Sequence, residues 1–148
     1  MYPSATCPQA TARLTGSAAA PGLSGAVQFC QTDRGVLVTA HVSGLPWENG
    51  GGFFALHIHE GDSCVGEGCP GTLSHYNPTA APHPGHAGDL PPLLSNGGEA
   101  YLSVLTDRFR LADVVGRTVV IHSGPDDFRS QPAGNAGSKI ACGVIQRG

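Results

Sequence analysis

Hydrophobic and polar positions along this chain read as short strands separated by turns. Residues 13–16 end a first strand and 25–31 begin a second, with Asp33-Arg34-Gly35 as the turn that follows. Residues 36–42 are rich in β-branched side chains and form a third strand, stopped by Gly44-Leu45-Pro46. Residues 52–59 make a fourth. From 60 to 88 the pattern is lost, and Gly, Pro, Ser, Asn and Asp dominate. A loop that long inside a compact domain is uncommon unless it is functional. Residues 90–94 and 100–105 read as further strands, 108–115 as a short turn of helix, and 117–122 as a clear strand. A second long polar loop, 124–138, leads to a last strand, 139–145. About eight short strands with two long loops predict an all-β, antiparallel sandwich or barrel. No repeat or internal boundary interrupts residues 1–148, so one domain is expected.

Composition agrees and narrows the function. Glycine (22) and proline (12) are abundant and charged residues are few, at 13%. No run of apolar residues is long enough to cross a membrane as a helix. The net charge is −3 and no basic stripe exists, which speaks against a nucleic-acid partner and against a membrane surface. Met1 to Cys7 show no basic start followed by an apolar block. A cytoplasmic protein is therefore expected, or an extracytoplasmic one if a signal has been removed.

The histidines change the picture most. Six of the seven fall at spacings that suit metal ligands. His57 and His59 are two apart on an expected strand, so both point to one face, about 7 Å apart along it. His83, His86 and Asp89 follow at three-residue spacing in the long loop, with His75 eight residues before His83. His75, His83, His86 and Asp89 would give three nitrogens and a carboxylate oxygen, a closed tetrahedral zinc site. His122 ends the strand Arg117-Thr118-Val119-Val120-Ile121-His122. Seven candidate side chains are too many for one tetrahedral ion and imply two metals. His41 belongs to no such cluster and reads as an ordinary strand residue.

On four of these segments the chain resembles the copper/zinc superoxide dismutases, its bacterial members in particular. They are His57-Ile58-His59-Glu60, His75-Tyr76-Asn77-Pro78, His83 through His86-Ala87-Gly88-Asp89-Leu90, and Gly116-Arg117-Thr118-Val119-Val120-Ile121-His122. A fifth is Gly134-Asn135-Ala136-Gly137-Ser138-Lys139-Ile140-Ala141-Cys142-Gly143-Val144-Ile145. The resemblance implies an eight-stranded Greek-key β-sandwich or barrel that disproportionates superoxide to O₂ and H₂O₂. It implies copper on His57, His59, His75 and His122, and zinc on His75, His83, His86 and Asp89, with His75 shared. His75 would also carry a proton to the second superoxide. Asp126, four residues after His122, would accept hydrogen bonds from one histidine of each site. Glu60 and Arg117 are expected to form a structural ion pair. A homodimer is the assembly the resemblance allows. The alternative reading is a non-catalytic copper/zinc buffer or carrier on the same fold, which an incomplete copper set would have favoured.

Two features depart from the family pattern or leave a choice. Three residues before the last cysteine the family usually has an arginine that attracts superoxide; here stands Lys139, the only lysine in the chain. The charge survives without the planar fork, so weaker positioning is expected. The resemblance also implies a bridge from a loop cysteine to Cys142. Cys64, five after His59, has the bacterial-like spacing, and Cys69, six before His75, the animal-like one. Cys64 is the expected partner. Cys7 and Cys30 either pair or remain core thiols.

Overall fold

Nine strands in two antiparallel sheets make up residues 7–46 and 50–148, the part of the chain that the computed structural model describes. They are β1 (Ala10–Gly16), β2 (Ser24–Thr32), β3 (Gly35–Ser43), β4 (Phe53–Phe54), β5 (Leu56–His59), β6 (Leu93–Leu94), β7 (Ala100–Thr106), β8 (Thr118–His122) and β9 (Lys139–Arg147). Seven of them form one curled sheet in the order β5-β8-β9-β1-β2-β3-β7, and β4 pairs with β6. The first and last long strands are neighbours, Ala12 lying opposite Ile145.

Alternation sets which side chains enter the core. Along β3, Val36, Val38, Ala40 and Val42 are buried while the residues between them are partly or fully exposed. Val27 and Phe29 of β2 meet them, with Leu56, Ile58, Ile121 and Ile145 from the other end of the sheet, all without solvent exposure. Each such side chain contributes about 1.5–3 kcal/mol by leaving water.

Strands β5 and β8 differ, because every residue in them is buried. Leu56, Ile58, Val119 and Ile121 join the core. The alternate residues, His57 and His59, point to the opposite face, which the two long loops cover. The first loop folds back along the free edge of β5. Ile58 N donates to Gly88 O (2.8 Å), Tyr76 N to Ile58 O (2.8 Å) and Glu60 N to Ser74 O (2.9 Å). An edge that would otherwise invite a foreign strand is closed.

The expected strand over 52–59 is two strands. The chain changes sheets at Ala55, whose N–H donates to Gly124 O and whose carbonyl accepts from His122 N. Phe54 therefore pairs with Leu93, and Leu56 with Ile121. Of the expected strand 90–94 only Leu93–Leu94 forms, since Pro91 and Pro92 have no N–H for a ladder. The expected helical turn is α1, Leu111–Val114, with the Arg110 N–H held by the Asp113 carboxylate at 2.9 Å. Disulfides join Cys64 to Cys142, tying the first loop to β9, and Cys7 to Cys30, while Cys69 is free and buried. The opening segment read for a signal lies, apart from Cys7, outside the described residues. Among the described residues no helix is long and apolar enough to cross a membrane.

Candidate metal centre

The curled sheet presents His57 and His59 from β5 and His122 from the end of β8 toward the two loops. His59 is bridged across the strand edge to His75, and His57 to Asp89, so the first loop brings its candidates onto β5 in register. A register shift between Ile121 and His122 sets His122 opposite Lys139. Two sets of potential ligands result. His57, His59, His75 and His122 form one, and His75, His83, His86 and Asp89 the other; within each set the ligand atoms lie within 4.8 Å of one another. His75 belongs to both. Its ring centroid is 3.9 Å from that of His57 and 4.9 Å from that of His59 on one side, and 5.4 and 5.2 Å from those of His83 and His86 on the other.

Hydrogen-bond partners fix which ring nitrogen faces inward. His59 Nδ1 donates to Leu73 O (2.8 Å), and His122 Nδ1 to Gly137 O (3.3 Å). A carbonyl can only accept, so both rings carry hydrogen on Nδ1 and leave Nε2 bare. The bare nitrogens face each other at 3.2 Å. Asp126 repeats the arrangement with opposite tautomers. Its Oδ2 accepts from His57 Nε2 at 2.9 Å and its Oδ1 from His83 Nε2 at 2.8 Å, leaving both Nδ1 atoms bare. Burial acts to raise the Asp126 carboxyl, but the hydrogen bonds from His57 and His83 reverse this and hold it well below the usual range.

The second set closes around Asp89. Its Oδ1 is 2.9 Å from His75 Nδ1, and its Oδ2 is 3.0 Å from His83 Nδ1 and 3.3 Å from His86 Nδ1. Burial acts to raise Asp89, and the histidines around it bring it net below its ordinary value.

These donors fit metal ions and little else. His57 Nδ1, His75 Nε2 and His83 Nδ1 are buried without a hydrogen-bond partner. Buried polar atoms left unpaired are costly. Burial also opposes protonation of three rings of the first set, pushing His59 down to about 2 and His122 to about 3 and lowering His57. Four bare imidazole nitrogens suit copper, and three nitrogens with a carboxylate suit zinc.

A shell of contacts that sequence reading did not find supports these rings. Gln131 clamps the main chain of His83 from the second loop: its Oε1 accepts from His83 N (2.8 Å) and its Nε2 donates to His83 O (2.7 Å). Arg108 Nη1 donates to Pro84 O (2.8 Å) and His86 O (3.1 Å). Gly134 has φ +72°, and a Cβ there would collide with the Asp126 carboxylate and come within 2.7 Å of His83 Nε2. Lys139 Nζ donates to Thr72 Oγ1 (2.6 Å) and Leu73 O (3.1 Å), beside His59. Burial lowers Lys139 from the ordinary lysine value. One expectation needs correcting: Arg117 does not pair with the Glu60 carboxylate. Its Nη1 donates to the main-chain carbonyl of Glu60 at 2.9 Å, and its guanidinium lies 4.2 Å from the centre of the Tyr76 ring. His41 stays outside the centre, exposed beside Tyr101.

Known proteins carry this arrangement of chain. The family model for copper/zinc superoxide dismutase matches residues 23–145. A protein of Aquifex aeolicus called superoxide dismutase [Cu-Zn] 2 is 36% identical over 137 residues, spanning 82% of this chain and 78% of its own. The superoxide dismutase [Cu-Zn] of Deinococcus radiodurans is 34% identical over 145 residues, with 84% and 78% covered. The human extracellular superoxide dismutase [Cu-Zn] is 36% identical over 140 residues, and the match takes up 58% of that longer protein. Among solved structures, a double mutant of a SOD-like protein from Bacillus subtilis superposes with TM-score 0.77 at 26% identity, covering 92% of this chain and 96% of that one.

Proposed function

The chain belongs to the copper/zinc superoxide dismutase family, and from that premise we propose that it disproportionates superoxide to O₂ and H₂O₂ at the centre where six of its seven histidines and Asp89 converge. Copper, when bound, supplies the alternating one-electron reduction and oxidation that dismutation requires. His57 Nδ1, His59 Nε2, His75 Nε2 and His122 Nε2 would hold it. His75 Nδ1, His83 Nδ1, His86 Nδ1 and the Asp89 carboxylate would hold zinc in a closed set, which keeps the loop in shape and leaves no position open for substrate.

The remaining work belongs to the protein. Forming H₂O₂ consumes two protons for each pair of superoxide ions. His75 Nε2, whenever it is not holding copper, is the ring atom suited to carry one, since no other group bonds to it while Nδ1 faces Asp89 and His86. Asp126 holds His57 and His83 in the tautomers that metal binding needs. Lys139, opposite His122 on the neighbouring strand, offers an anion a local positive charge in a protein of net charge −3.

The observation that carries this reading is the shared His75, with Nε2 turned to one ligand set, where it has no hydrogen-bond partner, and Nδ1 turned to the other, 2.9 Å from Asp89. A copper/zinc buffer or carrier has no need of a guiding cation beside its copper ligands. Metal analysis with a superoxide decay assay on purified, copper- and zinc-loaded protein separates the two. Bound metal without dismutation would leave the carrier reading standing. Sedimentation of the same sample tests the homodimer.

A further inference from the structure

Lys139 is not a free arm. Its ammonium meets two acceptors on consecutive residues, Thr72 Oγ1 at 2.6 Å and Leu73 O at 3.1 Å. Thr72 has no solvent exposure, and its hydroxyl hydrogen is already engaged, donated to Cys69 O at 2.8 Å. Toward Lys139 that hydroxyl can therefore only accept. Leu73 O is shared as well, because His59 Nδ1 donates to it. The same cation is thus tied to the carbonyl that orients one candidate copper ligand, and it starts the strand opposite another, His122. An ammonium has three hydrogens; two are engaged here, and the third is left for an anion. Lys139 also borders an open recess of about 900 Å³, with Arg13 and Ser138 in its wall.

We infer that Thr72 is a positioning residue for superoxide capture: its buried hydroxyl, braced on Cys69 O, holds Lys139 as a fixed cation beside His59 and His122. A lysine is a strongly hydrated point charge on a four-carbon stem, with much rotamer freedom to lose. Two anchors on adjacent residues supply the directionality that a guanidinium has built in. Thr72 and Lys139 together then do what one arginine would do by its shape. The inference rests on the guiding role proposed for Lys139, and the experiment separates the two.

Lys139 being the only lysine, lysine-selective ¹⁵N labelling gives one side-chain ammonium signal. In copper- and zinc-loaded protein with copper reduced, that signal should be protected from solvent exchange in wild type and in Thr72→Ser. In Thr72→Val, which keeps the shape and removes the hydroxyl, exchange should accelerate about tenfold or more. Thr72→Val should lower kcat/KM about five- to tenfold, with Thr72→Ser within about twofold of wild type. The double variant Thr72→Val/Lys139→Met should be no slower than Lys139→Met alone, because Thr72 acts through Lys139. A double variant slower than Lys139→Met would make Thr72 a structural residue of the loop and overturn the inference. So would a wild-type ammonium exchanging as fast as free lysine, a result that needs no variant to fold. A slow Lys139→Met beside an unaffected Thr72→Val sinks the inference alone. Lys139→Met as fast as wild type sinks the guiding role and the inference with it.

Discussion

Asp126→Asn should damage the copper side of the centre more than the zinc side. Asp126 Oδ1 accepts two hydrogen bonds, from His83 Nε2 and Phe128 N, each at 2.8 Å, while Oδ2 accepts one, from His57 Nε2 at 2.9 Å. An asparagine has one oxygen to offer. It keeps more contacts by placing that oxygen where Oδ1 was, which turns its NH₂ toward His57. Two donors then meet in a buried space, at a cost of about 1–3 kcal/mol. His57 can relieve this by moving its hydrogen to Nδ1, but that closes the nitrogen needed for copper. Either way copper affinity should fall about 10- to 100-fold, while zinc, held through His83, changes less. Asp126→Ala removes the acceptor from both rings and should weaken both metals. Chelator competition for each metal, read by atomic absorption, gives the two affinities. An asparagine variant that binds copper like wild type, or that loses zinc more than copper, would refute this reasoning.

Lys139→Glu should slow dismutation about tenfold or more while leaving metal content intact, and the wild-type rate should fall with added salt as screening weakens attraction. A salt-insensitive rate in stopped-flow assays would count against guidance. Replacing Cys64 and Cys142 together by alanine opens the link between the first loop and β9, which closes a span of 78 residues, and should cost about 4 kcal/mol in unfolding experiments. Gly134→Ala should loosen His83 and raise zinc loss to a chelator, because the new Cβ displaces Asp126; unchanged zinc retention would argue against it. Metal-free protein should lose stability as pH falls below 6.5. His59 and His122 have folded values of about 2 and 3, so below 6.5 they are protonated in the unfolded chain and neutral in the folded one. The unfolded chain therefore takes up protons that the folded one refuses, and stability falls with pH; a melting temperature equal at pH 7 and pH 5 would contradict this.

The strand pattern was legible wherever one face is buried and the other wet, as in β3, where alternation sorts Val36, Val38, Ala40 and Val42 inward. It failed at Ala55, because a strand that passes from one sheet to another keeps its hydrophobic character while changing partners. The candidate metal ligands were visible because imidazole chemistry is rare and its spacing on a strand is meaningful. Gln131, Arg108 and Thr72 were not. They act on main-chain groups or through another side chain, with partners as distant as 67 residues, and no spacing marks such contacts. The Glu60–Arg117 ion pair was expected because both residues match family positions, but Arg117, just before β8, donates to the carbonyl of Glu60 instead. Cys64, preferred to Cys69 for its spacing after His59, is the partner of Cys142, and Cys69 is free.

The most direct test of the account is the decay of superoxide in the presence of purified protein carrying both metals, compared with the same protein carrying zinc alone. The account predicts one copper and one zinc per chain, rapid first-order removal of superoxide by the doubly loaded form, and none above background by the zinc form. Full metal loading with superoxide decaying at the uncatalysed rate would contradict it.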